Sequence, residues 1–427
     1  MRVLLVADGR SPITMCFAEG LRSKGITLGL VSTYQCQPEE GLFEEVFMLP
    51  VAFGQLSGSQ VQTQKDSPEK TNTSVSTRRK FISRFRNSLQ TVRYVFGPLT
   101  IPMTAKPFRE IVEHFQPDLV HALRIPFEGM LASNTPTHIP LIASIWGNDI
   151  TLHAQGSNAM RKWTHRVINR IDGIAADANR DIRLAKVWGY PTKYPQAVYP
   201  GNGGIDLEKL QESNSVKANE YLRGWLKMNE LLIINPRGFR PGSVRNDIFF
   251  EALHLLSSRL ENVRYVCAAM ANQVEAQQWV EAYHLQDQVR LLPYLSQEML
   301  WSLFARSAIT VSISQHDGTP NSLLEAMAIG CLPVAGDIES IRQWITPGLN
   351  GILVEPHRAD ALADAIAFAV ENPEFRESAR QYNLDLSRTK TSRDIVLPQI
   401  LEFYEKVIKE KHRRDAPAVQ PVETLKN

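Results

Sequence analysis

The sequence predicts an α/β protein made of two doubly wound domains facing each other across a cleft. Short β-branched runs alternate with longer helical patterns along almost the whole chain. The apolar runs are continuous, as in strands buried on both faces of a parallel sheet, and such strands are joined by right-handed crossovers. With 427 residues, the chain is long enough for two or three domains at roughly 100–200 residues each.

Taken in order, RVLLVAD (2–8) reads as a buried strand. Residues 13–24 then have helical spacing through Phe17 and Leu21 until Gly25 stops them. TLGLVSTY (27–34) is the next strand, followed after a break by DLVHAL (118–123), PLIASIWG (140–147), GIAADA (173–178) and QAVYPGN (196–202). A second series comprises LLIINP (231–236), VRYVCAAM (263–270), VRLLPYL (289–295), AITVSIS (308–314), LPVAGD (332–337) and GILVEP (351–356), with a helical pattern in every gap. The two series meet near residues 200–230, which predicts domains over 1–200 and 201–390. Residues 394–412 have helical spacing through Leu397, Leu401, Tyr404 and Ile408. This final helix, within 391–412, is expected to pack back on the first domain, with a flexible tail over 413–427. Residues 54–80, rich in Ser, Thr and Gln, read as a mobile loop.

Composition narrows the function. Hydrophobic residues make up 43% and charged residues 22%, the fractions of a globular enzyme and not of a disordered or fibrous chain. A formal charge of +2 argues against bulk electrostatic binding of nucleic acid. Cys16, Cys36, Cys267 and Cys331 are far apart and lack metal-ligand spacing, so they read as small buried hydrophobes in a reducing compartment. The apolar run at the start is too short for a signal peptide, and no stretch approaches the ~20 apolar residues of a membrane span. A cytoplasmic protein is expected.

The chemistry concentrates in SISQHDGTPNSLLEAMAIGCLPVAGD (312–337): strand, Gly-containing loop, helix start, then a small-residue turn into another strand. The N–H groups of Asn321, Ser322 and Leu323 at the helix start form an anion site, because unpaired donors and the helix dipole both favour negative charge. Pro320 suits the first turn, where no N–H is needed. Asp317 and Glu325 flank this site eight residues apart. They would repel a phosphate, so they are expected to accept hydrogen bonds from sugar or ribose hydroxyls. Diphosphate at the helix start with hydroxyl acceptors on either side describes a nucleotide sugar. No GxGxxG occurs, which disfavours a dinucleotide cofactor.

The run DGTPNSLLEAMAIGCLPVAGD closely resembles the signature of glycosyltransferase family 4, retaining enzymes of the GT-B fold with two Rossmann-like domains. That family has an acidic residue, seven others and a Glu, followed by an Ala-Met-Ala-x-Gly-x-Pro-Val-like run. Here the acids are Asp317 and Glu325. PGLNGILVEPHRADALADAI (347–366), DLVHAL, IWGNDI (145–150) and PGNGGIDLEKL (200–210) resemble further family segments in the right order.

The resemblance implies that Glu325 binds the donor's ribose hydroxyls and Asp317 those of the transferred sugar. The Gly318 loop and the backbone N–H groups of Thr319, Asn321, Ser322 and Leu323 would hold the diphosphate. Relatives pair an Arg with a Lys after the first strand of the second domain. NPRGFRPGSVRND (235–247) offers Arg237 for the Arg and no Lys, leaving Arg240 or Arg245 for the second charge. His121 corresponds to a family His near the donor sugar. Trp146 stands where many relatives have His, as a sugar-stacking platform or a core residue. Asp149 contacts acceptor or braces its loop. Gly9 and Ser11 sit where the family brings a Gly-rich loop toward the diphosphate.

The expected function is therefore transfer of a sugar, with retention, from a nucleotide-diphosphate sugar to a saccharide or lipid-linked acceptor in surface polysaccharide or glycolipid biosynthesis. No cofactor or metal is expected, because the arginines and the helix start carry the positive charge. From Lys70 to Arg109 the chain has nine Lys or Arg and no Asp or Glu, with an aromatic stripe at helical spacing. This 78–96 stretch suits either peripheral contact with the inner membrane face or a helix that packs its aromatic stripe on the first domain and leaves a solvated basic face. The alternative is a non-catalytic GT-B protein that binds sugar nucleotides or scaffolds polysaccharide assembly.

Overall fold

A computed structural model of the chain describes residues 1–54 and 90–416. Nearly all of the loop expected at 54–80, most of the 78–96 stretch and the tail beyond 416 lie outside the described residues. The first sheet contains β1 (Arg2–Ala7), β2 (Thr27–Ser32), β3 (Glu45–Met48), β4 (Leu119–Ala122), β5 (Leu141–Ile145), β6 (Gly173–Ala176) and β7 (Gln196–Val198). The second contains β8 (Leu231–Asn235), β9 (Val263–Cys267), β10 (Val289–Leu291), β11 (Ile309–Ser312), β12 (Leu332–Gly336) and β13 (Ile352–Val354). Among the described residues every pairing between these strands is parallel. The orders are β3-β2-β1-β4-β5-β6-β7 and β10-β9-β8-β11-β12-β13, so each sheet reverses direction of growth beside its first strand.

Period-two alternation explains why these strands are apolar throughout. In β1, Leu4 and Val6 face a cluster with Phe108, Val112 and Phe115 of the Ile101–Phe115 helix. Val3 and Leu5 face the opposite cluster, with Phe17, Ile400 and Tyr404. The second face is covered by the Pro12–Ser23 helix and the C-terminal Arg393–Asp415 helix. These two lie so close that a β-carbon on Gly20 would stand 2.8 Å from Leu397. The last helix thus leaves the second sheet and closes the core of the first.

Strand β3 has no counterpart in the sequence reading. It is a four-residue edge strand, only half-buried, with Glu45 at its start. Too few of its side chains face a core to leave an apolar run.

Candidate active site

Ligands of doubly wound sheets bind beyond the carboxyl ends of the strands where the order reverses. Both switch points of this chain open on one cleft. The turns after β1, β4, β8 and β11 send Ser11, Arg124, Arg237 and Asp317 into a single cavity of about 570 Å³.

On the second-sheet side, the turn after β8 is built by asparagines. Asn235 accepts from the Arg237 N–H at 3.1 Å and donates to Asn246 at 3.3 Å, while Asn246 donates to the Gly238 carbonyl at 2.9 Å. This network aims Arg237 at the cleft. Its guanidinium is buried, pairs with Asp317 and donates to Ser322 Oγ at 3.4 Å, while its Nε has no partner. Arg240 lines the same cavity. It is open to the solvent of the cleft but surrounded by protein, and the nearby Arg237 charge, with that burial, pushes its pKa down to about 10. Two cations so arranged face one carboxylate, which leaves surplus positive charge for an anion. Arg245, the other candidate for the second charge, pairs with Asp247 and meets His357, and it does not line the cavity. Its guanidinium is held at the first turn of the Asn246–Leu256 helix by Asp247, at 2.7 Å.

The Asn321–Ile329 helix starts behind Pro320, as its sequence requires. The expected cradle of N–H groups is narrower than the sequence suggested. The Gly318 N–H is taken by the Asp317 carboxylate at 3.0 Å, and the Leu323 N–H turns into the helix to Pro320 O at 2.9 Å. The Thr319 N–H is directed at buried Asp177. Asn321 and Ser322 are the remaining backbone donors of the cradle. Both line the cavity, and Asn321 Oδ1 is buried without a partner.

Asp317 sits between Arg237 and Ser314, whose hydroxyl donates to it at 3.0 Å. Glu325 is buried at the far end of the cavity. Gln297 and Trp301 donate to its two oxygens at 3.2 and 3.1 Å. Burial nonetheless pushes its pKa up to about 7. It is therefore a hydrogen-bonded acceptor whose charge is poorly solvated, suited to hydroxyl donors.

The first-sheet wall departs further from expectation. His121 does not reach the cleft. It shares the face of β4 that carries Leu119, pointing into the core under the last helix, fully buried. Tyr404 Oη and Ser144 Oγ engage its two ring nitrogens at 2.6 and 2.8 Å, and burial lowers its pKa to about 3. Gly9 is likewise withdrawn. Its N–H donates to Ser32 at 3.1 Å, and a β-carbon there would meet Cys36 Sγ at 2.4 Å. Ser11 lines the cavity. Asp149 is fully buried and accepts from Arg124 at 2.8 Å, from the Ile125 N–H at 3.0 Å and from the Trp146 N–H at 3.2 Å. It braces the loop that presents Trp146. The indole of Trp146 lines both the main cavity and a neighbouring one of about 380 Å³ on the first-sheet side.

The walls also touch. Asn148 donates to Ser243 at 2.6 Å, Asn179 to Gln343 at 2.8 Å, and Arg183 pairs with Glu339. Thr319 Oγ1 bridges them, accepting from Trp344 Nε1 at 2.9 Å and donating to the Asp177 carbonyl. Asp177, Gln297, Trp301 and Trp344 were not singled out from the sequence. None lies in a motif; each acts through a partner more than 20 residues away.

Among the described residues, no group of three or more His, Cys, Asp or Glu could hold a metal ion. No helix among them is long and apolar enough to cross a membrane.

Two family models match: glycosyl transferases group 1 over residues 244–385 and glycosyl transferase 4-like over 84–178. An alpha-D-kanosaminyltransferase from Streptomyces kanamyceticus is 25% identical over 162 residues, 38% of this chain and 42% of that protein. A GDP-mannose:cellobiosyl-diphosphopolyprenol alpha-mannosyltransferase from Xanthomonas oryzae is 28% identical over 266 residues, 58% of this chain and 63% of the relative. The chain thus spans less than two thirds of the length of these curated relatives. Among solved structures, sucrose-phosphate synthase from Thermosynechococcus elongatus matches with a TM-score of 0.71 at 13% identity, covering 96% of this chain and all of the other. HepE from Anabaena, solved with UDP-glucose, matches at 0.68 and 16% identity over 95% of this chain and 99% of its own. At these identities the structures establish a shared fold.

Proposed function

The chain belongs to the group 1 glycosyltransferases of the GT-B fold, and from that premise we propose that it is a retaining enzyme using a nucleotide-diphosphate sugar. The acceptor proposed is a saccharide or lipid-linked saccharide, in surface polysaccharide or glycolipid biosynthesis at the cytoplasmic face of the membrane. One observation carries the reading: Arg237, Arg240 and the start of the Asn321–Ile329 helix converge on one cavity, with Asp317 and Glu325 on either side. The second-sheet unit carries the donor and the first-sheet unit the acceptor. That HepE was solved with UDP-glucose and the Xanthomonas relative is named for GDP-mannose supports a nucleotide-sugar donor without choosing its base.

In this reading the diphosphate lies between the two arginines and the N–H groups of Asn321 and Ser322. Glu325 accepts from ribose hydroxyls, and Asp317 from hydroxyls of the transferred sugar. The acceptor attacks from the face that the nucleotide leaves, and the departing phosphate oxygen takes the acceptor's proton. Arg237, Arg240 and the helix start stabilise the charge that grows on the diphosphate, an electrostatic task in a partly desolvated site. Trp146 separates donor and acceptor cavities and offers an aromatic face to a sugar.

The test is incubation of the purified protein with a panel of nucleotide sugars and saccharide acceptors, with product anomers assigned by NMR. Transfer that preserves the anomeric configuration is expected. An inverted product overturns retention, and tight donor binding without transfer or hydrolysis would make the chain a sugar-nucleotide-binding scaffold.

A further inference from the structure

The cavity of about 380 Å³ beside Trp146 takes no part in holding the donor. It joins the main cleft at Ser11, Arg124, Trp146 and His153, which line both. Its wall carries a carboxyl without a task so far. Glu128 is only 4% exposed, and Thr33 Oγ1 donates to it at 3.0 Å. Among the described residues no cation forms an ion pair with it, and Arg124 is committed to Asp149 at 2.8 Å. Burial pushes its pKa up to about 7, although the Arg124 and Arg93 charges act in the opposite sense. An acid so placed is a cost to the fold, and such acids concentrate where ligands are held.

The backbone is strained to put Glu128 there. The preceding residue, Phe127, has φ 66° and ψ −53°, a three-residue turn that residues with a β-carbon rarely adopt. Its ring is pinned by neighbours: Arg93 lies over it at 4.5 Å, and a β-carbon on Gly97 would stand 2.8 Å from it. The turn is thus upheld from outside, and what it delivers is a carboxyl at the cavity wall. An independent observation comes from other elements. Thr14 Oγ1, on the Pro12–Ser23 helix, is buried without a partner, as are Arg93 Nε and Arg124 Nε, and all three residues line this cavity. Polar atoms left unpaired in a fold that pairs nearly all of them are positions for ligand atoms.

Charge decides the class of ligand. Arg124 pairs with Asp149 at 2.8 Å, Asp8 with Arg10 at 2.9 Å, and Glu128 offsets Arg93. Burial keeps His153 neutral, its pKa lowered to about 4. Among the described residues these three cations meet three carboxylates, in contrast to the surplus at Arg237 and Arg240, so nothing here selects a phosphate. A carboxyl, a hydroxyl and guanidinium N–H groups set among Tyr34, Phe127 and Trp146 suit the hydroxyls and the apolar face of a pyranose.

We propose that this cavity is a subsite for an uncharged sugar residue of the acceptor, in which Glu128 accepts hydrogen bonds from the sugar hydroxyls. Thr14 and Arg124 donate to its oxygens, and Trp146 marks the boundary past which the reacting hydroxyl enters the main cleft. The proposal deepens, and rests on, the reading of the first-sheet unit as the acceptor side. It makes Glu128 a specificity residue, which selects an acceptor by its sugar and not by a phosphate or lipid attached to it.

The experiment is NMR titration of the full chain, wild type, E128Q and E128A, with methyl hexosides, cellobiose and maltose as neutral probes and glucose 1-phosphate as the charged one. Nucleotide sugars are titrated in parallel by calorimetry. At least one neutral probe should bind wild type and lose about tenfold or more in affinity in both variants. Where that probe is also an acceptor, its KM should rise while kcat stays within about threefold. Because the acid burdens the fold, E128Q should unfold in urea at the wild-type midpoint or above it, whereas a structural role would lower the midpoint. A wild type that binds none of the neutral probes, or an E128Q variant that binds them as well as wild type, overturns the proposal. So does a lowered E128Q midpoint with donor and probe binding weakened together. Binding of glucose 1-phosphate alone, tightened in E128Q, overturns it too, since Glu128 would then repel what the arginines hold. Neutral-probe binding that E128Q loses, in a protein that ignores nucleotide sugars, leaves the subsite standing and removes the donor reading instead.

Discussion

Gly147 of the first wall and Gly318 of the second meet backbone to backbone across the cleft: a β-carbon on Gly147 would stand 1.7 Å from the Gly318 N atom. One on Gly318 would stand 2.2 Å from the Asp177 carboxylate. The glycines permit close approach where IWGNDI faces DGTPNS, bringing Trp146 beside Asp317. Gly147→Ala should hold the walls apart while leaving each sheet intact. Turnover should fall on the order of 100-fold, as displacements near 1 Å do, with donor binding retained by calorimetry. Wild-type turnover in this variant would show that the contact has no part in the reaction.

Arg237, Arg240 and Arg245 separate by position. Arg237→Ala should cost about 2–4 kcal/mol of transition-state stabilisation, roughly 30- to 1,000-fold in turnover. Arg240→Ala should weaken donor binding by about tenfold. Arg245→Ala should do neither, because its guanidinium is engaged by Asp247 outside the cavity. Steady-state kinetics and donor titration check all three, and an effect of Arg245→Ala larger than that of Arg240→Ala would reverse the assignment.

If Glu325 holds the donor as proposed, donor binding should be a proton-linked event. Burial raises its pKa from the ordinary 4.5 to about 7. Between those values the folded protein keeps a proton that the unfolded chain has lost, so this group's contribution to stability falls as pH rises through that window. Ribose hydroxyls donating to the carboxylate favour its ionised form and lower the pKa. Nucleotide binding near pH 6.5 should therefore release a fraction of a proton. Calorimetry in buffers of different ionisation heat measures it, and Glu325→Gln should abolish it. Heats that do not vary with buffer would refute the linkage.

Trp146 lines both cavities, with the Arg124 guanidinium 5.6 Å from its ring. Trp146→Ala should lower kcat/KM for the acceptor by about tenfold or more through lost stacking. Donor affinity should hold, because the proposed diphosphate contacts lie on the other wall. A loss confined to donor affinity would place the indole on the wrong substrate.

His121 carries the opposite expectation. Removing a fully buried ring that holds Tyr404 and Ser144 leaves a cavity and two unpaired hydroxyls. His121→Ala should destabilise by about 2–4 kcal/mol, seen as a lower midpoint in urea. Below that midpoint, turnover should match wild type. A turnover defect with unchanged stability would return His121 to the reaction.

The legible parts of the site were the local ones. Asp317, the helix start and Glu325 fall within nine consecutive residues, so strand, turn and cap chemistry place them together whatever the rest of the chain does. Arg237 follows a strand end and was equally readable. The N–H cradle was over-read at Leu323, because a helix satisfies that donor internally, and at Gly318 and Thr319, because neighbouring carboxylates take theirs.

By itself the sequence determined two parallel sheets with their crossovers, since burial on both faces demands continuous apolar runs, and it determined the helix start behind Pro320 with Asp317 and Glu325 on either side. Tertiary structure alone decided the rest. The face of β4 that carries His121 depends on which helix covers it, and that helix is supplied by residues 393–415 at the far end of the chain. That Arg240 and not Arg245 lines the cavity depends on the course of the turn between β8 and the next helix, which is tied to distant residues by the Gln315 N–H donating to the Ser243 carbonyl and the Arg245 N–H to the Ile313 carbonyl, both at 2.8 Å. The meeting of Gly147 with Gly318 depends on how two separately folded sheets lie against each other. Each of these is a contact between distant residues, and no local pattern of side chains encodes it.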